Sequence, residues 1–108
     1  MLSAVREQGV EQALAGSLGL ALMADQEGFA LRGDTNLSVM NAYALDVLSR
    51  VGFLSAVLSP ELTLAQIRSL PKPMNTELVV YGQLSAMVTE TCLIKESAGR
   101  CTCSTPGR

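Results

Sequence analysis

The sequence contains no histidine and no tryptophan. The missing histidine removes the Ser–His and Cys–His nucleophile pairs, the commonest general base and the commonest metal ligand. Any metal must then be held by sulfur or oxygen. Aromatic residues make up only 4% of the chain, too few for a base-stacking platform. Positive charge is also scarce. Lys and Arg number 8 against 10 Asp and Glu, for a net charge of -2, which leaves no basic patch for strong, non-specific phosphate binding. The opening MLSAVREQGVEQ lacks a basic stretch followed by an apolar run, so it is not a secretory signal. The longest nearly uncharged run, Gln12 to Ala24, is interrupted by Gly16, Ser17 and Gly19 and is too short to span a bilayer. These absences read together as a cytoplasmic protein. In that compartment, clustered cysteines are more often thiols or metal ligands than disulfides. There are 3 cysteines, so at least one has no partner within the chain.

What is present is an apolar chain with regular punctuation. It has 108 residues, 48% of them hydrophobic, enough to build the core of one domain or part of one. Leu2–Gln8 reads as a short helix closed by Gly9. Val10–Ala15 reads as a strand. Ser17 can cap a helix that runs through Leu18–Ala24 and stops at Gly28. Phe29–Arg32 is a second strand, and Gly33–Asn41 a polar strand end or loop. Ala42, Leu45, Leu48 and Val51 recur at helical spacing, with Asp46 and Arg50 four residues apart, Asn41 as cap and Gly52 as stop. Phe53–Leu58 is a third strand, apolar on both faces apart from Ser55, as buried parallel strands are. Thr63 and Gln66 form a capping box for a helix through Leu64, Ile67 and Leu70, which Pro71 and Pro73 end. Thr76–Tyr81 reads as a fourth, buried strand.

Helices and strands thus alternate, with strand-to-strand steps of roughly 20–25 residues, the spacing of βα units with right-handed crossovers. The fold class is α/β, about four βα units of a parallel (β/α) barrel-like fold. No GxGxxG or GxxxxGK[ST] follows any strand, which excludes a phosphate-loop nucleotide binder. A whole barrel takes ~250 residues, so this reading expects the chain to be incomplete. The expected organisation is a partial barrel over 1–91 and a cysteine-containing loop or tail over 92–108.

In such folds, sites form where the strands exit. Those positions hold Gly16-Ser17, Asp34-Thr35-Asn36, Ser59-Pro60-Glu61 and Tyr81-Gly82-Gln83, with Met87 and Glu90 beyond. Ser17, Asn41 and Thr63 have a ready explanation as helix caps. Asp34, Asn36 and Glu61 are candidate catalytic residues, against the plainer reading of solvated loops. Glu61 and Glu90 could form a carboxylate pair for acid–base chemistry. The spacing Cys92-x8-Cys101-x-Cys103 differs from that of a zinc ribbon. Three such thiolates could hold a soft metal or, with a fourth ligand, an iron–sulfur cluster. They could equally be incidental thiols.

The run GDTNLSVMNAYALDVLSRVGFLSAVLSPELTLAQIRSLP, followed by TELVVYGQLSAMVTETC, resembles the collagenase-like protease family (peptidase family U thirty-two). The matching positions are Gly33, Asp34, Leu37, Asn41, Ser59, Pro60, Glu61, Leu62, Tyr81, Gly82, Met87, Glu90 and Cys92, and the resemblance covers residues 10–103. It implies a barrel-like catalytic domain in a family first described as proteases, some of whose members resemble hydroxylation or RNA-modification factors. It also implies a four-iron–four-sulfur cluster on Cys92, with Cys101 and Cys103 as further ligands, and a cofactor-site role for the Tyr81-Gly82 motif. The sequence departs from the family pattern at Thr91, where histidine is common, and at Gln83, often basic. The family also continues beyond the point where this chain stops, so the fourth cysteine is missing. The expected function is therefore a segment of a family enzyme, inactive when isolated, that acts on protein, RNA or a small molecule. Cluster-dependent modification is favoured over proteolysis. The alternatives are a non-catalytic remnant without cofactor that self-associates or pairs with the rest of a barrel, and a small zinc module.

Overall fold

The structure, a computed structural model, describes residues 2–84 and 91–99. Its elements are α1 (Leu2–Glu7), β1 (Gln12–Ala15), α2 (Leu18–Gln26), β2 (Ala30–Gly33), α3 (Ala42–Val51), β3 (Phe53–Val57), α4 (Leu64–Ser69), β4 (Asn75–Glu77) and α5 (Leu93–Ala98). A single 3-10 turn, Thr35–Leu37, lies between β2 and α3. All strand pairs are parallel and the spatial order is β1-β2-β3-β4. A doubly wound sheet reverses its strand order at a switch point. This sheet does not, and its steps run in one direction as in a (β/α) barrel.

Local chemistry accounts for the helix ends. The side chains of Ser17, Asn41 and Thr63 accept from the backbone N–H groups of Leu20, Ala44 and Gln66. Gln66 returns the bond to the Thr63 N–H at 2.8 Å, completing the expected capping box. α3 ends on Gly52 at φ +102, a left-handed conformation that glycine adopts without a Cβ clash. Asp46 and Arg50 meet on its surface at 2.8 Å. The Lys72 ammonium caps the last carbonyls of α4, those of Ile67 and Leu70.

The core lies on one face of the sheet. Ala21 and Ala24 of α2, Leu45 and Leu48 of α3, and Leu31, Phe53, Ala56 and Leu58 form one buried cluster. A single cluster containing both helices requires both to lie on the same side. Each fully buried leucine contributes about 1.5–3 kcal/mol relative to exposure. At Gly33 the packing is close enough that an added Cβ would lie 2.9 Å from Leu37 Cδ1 and 3.2 Å from Ala56 Cβ.

Two expectations need correction. The fourth strand is neither six residues long nor buried. It covers only Asn75–Glu77, and Val80 and Tyr81 beyond it are 90% and 96% exposed. Among the described residues β3 is its only neighbour, and Leu78–Tyr81 pairs with no second strand there. The segment after Cys92 is not simply a loop, because Leu93–Ala98 forms a helix with Cys92 as its N-cap. At the other boundaries the shifts are one or two residues.

Candidate functional site

Residues from the exits of β2 and β3 meet in a single depression. After Gly33 the chain enters the 3-10 turn, and Asp34 caps it. Asp34 Oδ1 accepts from the Thr35 N–H at 2.7 Å, and Oδ2 accepts from Asn36 Nδ2 at 3.0 Å. Ser38 then adopts φ +49, a left-handed value uncommon for a residue with a side chain. This reversal delivers Val39 alongside Leu58, where the two strand extensions bridge. The Ser59 N–H donates to the Val39 carbonyl at 2.9 Å, which fixes the start of the Ser-Pro-Glu turn. Within that turn, buried Ser59 offers its Oγ to the Glu61 N–H at 3.3 Å.

The result is a shallow depression of about 250 Å³ between Asn36 and Ser38 on one side and Ser59, Pro60 and Glu61 on the other. Leu84 also lines it, because Gly82 at φ +139 turns the chain after Tyr81. Of the residues read from the sequence, Asn36 and Glu61 come together here, and Asp34 is bonded to Asn36. Both Asp34 oxygens are engaged in holding the turn, so the structure gives this residue a capping role. Gly16 belongs to the same neighbourhood, since a Cβ on it would lie 3.2 Å from Asn36 Nδ2. Tyr81 points away from the packed structure. Met87, Glu90, Cys101 and Cys103 lie outside the described residues, and with them the Glu61–Glu90 pair.

Sequence reasoning did not find the polar cluster on the other face of the sheet. Arg32 of β2 reaches Glu77 of β4, with Nη2 and Nε at 2.6 and 3.0 Å from Glu77 Oε1. Ser55 of β3, between them, donates to the same oxygen at 2.5 Å. Arg32 Nη1 also donates to Gln12 Oε1 at 3.1 Å. The Ser55 hydroxyl, and then the Arg32 guanidinium, hold the Glu77 carboxyl below the usual carboxylate range. A β-bulge between Leu31 and Arg32 re-aims β3 so that Ser55 stands opposite Arg32. The only sequence signal was Ser55 itself, the polar residue in an apolar strand.

The strand order and the one-sided helices define a parallel βα-unit protein of the barrel-like class. The chain matches the model of Peptidase family U32 over residues 1–106 and belongs to that family. No curated protein and no solved structure matched it. No helix among the described residues is long and apolar enough to cross a membrane.

A family-implied iron–sulfur cluster can be tested against Cys92. Cysteine thiolates are the ligands such clusters take, and backbone N–H···S bonds to those sulfurs are part of how proteins tune them. Cys92 is half-buried and its Sγ accepts from the Lys95 N–H at 3.4 Å. The donor chemistry fits. Among the described residues, no three His, Cys, Asp or Glu side chains converge.

Proposed function

We propose that this chain supplies the strand-exit face of a U32-family enzyme whose chemistry is modification of RNA or a small molecule, not peptide hydrolysis. The observation that carries this reading is the depression shared by Asn36, Ser38, Ser59 and Glu61, built from two successive strand exits. Its described lining offers hydrogen-bonding groups but no activated nucleophile, and the sequence has no histidine to activate one. Asn36 and Glu61 would orient substrate, with Glu61 positioned to accept a proton. Tyr81 and Gly82 would form the rim nearest the cofactor. Cys92, Cys101 and Cys103 would hold a four-iron–four-sulfur cluster, with a fourth ligand from elsewhere. When bound, it would supply one-electron redox chemistry.

Anaerobic purification tests this. The expected result is a brown protein with about four irons and matching acid-labile sulfide. Cys92→Ser should lower the iron content. A colourless, metal-free protein that cleaves gelatin would overturn the reading.

A second reading has its own support. Among the described residues β1 and β4 are open edges of the sheet, and open edges invite pairing. The chain would then be a non-catalytic module that self-associates. Size-exclusion chromatography separates the two readings: a stable monomer argues against the module.

A further inference from the structure

The strand-exit depression carries a more specific chemical instruction, one that rests on the proposed function and narrows its substrate. Ser59 is 5% exposed, and its Oγ is an acceptor for the Glu61 N–H. Its own O–H donates to no acceptor among the described residues. A buried hydroxyl proton without an acceptor is costly, and a ligand acceptor would satisfy it. Beside it, exposed Glu61 lines the same depression and carries an acceptor side chain. The lining therefore places a donor next to an acceptor.

The charge balance around it is equally informative. Among the described residues, neither lysine nor arginine lines the depression. Three of the described cations are bonded elsewhere: Arg32 to Glu77, Arg50 to Asp46, and Lys72 to the carbonyls that end α4. Phosphate sites use cations or converging backbone N–H groups. Here a phosphate would meet the Glu61 carboxylate with no cation from the described lining to offset it.

We propose that this depression binds an uncharged amide-type group, N–H beside C=O, as in a carboxamide or a ring lactam. Ser59 donates to the carbonyl and Glu61 accepts from the N–H. Phosphate is excluded from this position, so the group recognised is the amide-type part of the substrate and not a charged one. Ser59 and Glu61 are thus specificity-determining residues.

The test is a titration of the full 15N-labelled chain, followed through the backbone amide signals of Asn36, Ser38 and Glu61. The probes are 2-pyrrolidinone, a minimal lactam, and inorganic phosphate. Pyrrolidinone should shift these signals saturably, and phosphate should not. Ser59→Ala should weaken pyrrolidinone binding about tenfold, the loss of one buried hydrogen bond. Exposed Glu61→Ala, which leaves the packing intact, should weaken it several-fold. Phosphate shifting the same signals would overturn the proposal, as would pyrrolidinone shifting none or binding both variants like the parent. Iron content is a separate readout. A chain that binds iron but not the lactam would refute this inference and spare the enzyme reading, and the reverse result would do the opposite.

Discussion

Adjacent residues of the same strands face two different environments. On the helix side, Ala15, Leu31 and Ala56 are buried in the core. One position away on the other side, Leu14 is 63% exposed, Arg32 joins an ion pair, and Ser55 bonds to Glu77. Strands buried on both faces read as apolar throughout, and these nearly do. The described residues supply cover for one face only. On the other, the Arg32–Ser55–Glu77 cluster is the contact that crosses three strands. The helix-covered face should therefore dominate stability, and the open face should matter mainly through that cluster.

The largest expected effect breaks the covered face. Leu45 is completely buried between α3 and the sheet. Leu45→Ala should cost about 2–5 kcal/mol, from lost transfer energy plus the cavity left behind. Urea denaturation followed by circular dichroism measures it. A loss under about 1 kcal/mol would mean that α3 is not anchored as described.

Gly33→Ala comes next, because it probes the covered face by overfilling it. The added methyl would lie 2.9 Å from Leu37 Cδ1, the end of a side chain that must rotate away, and 3.2 Å from Ala56 Cβ, which cannot retreat without moving β3. The expected cost is about 1–3 kcal/mol. The Asn36 amide signal should move with it, because the turn carries the depression.

On the open face, Glu77→Gln removes the charge that Arg32 and Ser55 converge on. The Arg32 and Glu77 side chains are 40% and 37% exposed, so solvent screening holds the expected loss to about 1 kcal/mol. The pH dependence has a definite sign. The folded carboxyl titrates below the ordinary carboxylate range, so its contribution is complete above that range. It is lost as pH falls through the lowered folded value. The stability gap between parent and Glu77→Gln should be constant near neutrality and close in acid. A gap that widened in acid would contradict the hydrogen-bonding geometry.

These contrasts also explain what the sequence made legible. α3 could be read to the residue, because Asn41, Gly52 and the Asp46–Arg50 pair all act within one or two turns. The capping box at Thr63 was legible for the same reason. The end of β4 was not. Leu78-Val79-Val80-Tyr81 has strand composition, but strand formation needs a neighbour, and β3 stops pairing at Glu77. The Arg32–Glu77 pair spans 45 residues of sequence and depends on a bulge, so no local pattern announces it. At the site, Asn36 and Glu61 were placed by the strand-exit rule alone. The buried Ser59 hydroxyl and the left-handed Ser38 became visible only with the backbone in hand.

The smallest expected effect is the sharpest test of the comparison. Leu54 sits on the open face, 54% exposed, beside the Arg32–Glu77 cluster. If nothing covers that face, Leu54→Ser exchanges one solvated side chain for another and should change stability by less than about 0.5 kcal/mol. If the face is covered by a second copy, the same substitution removes buried apolar area, and its cost should grow with protein concentration, because association stabilises the folded state by mass action. Measuring Leu54→Ser at two concentrations a hundredfold apart distinguishes the cases. A concentration-independent change near zero leaves the two faces as unlike as the described residues make them. A cost that rises with concentration would make the open face an interface, and the apolar pattern of Leu14 and Leu54 would then be that of a core shared between copies.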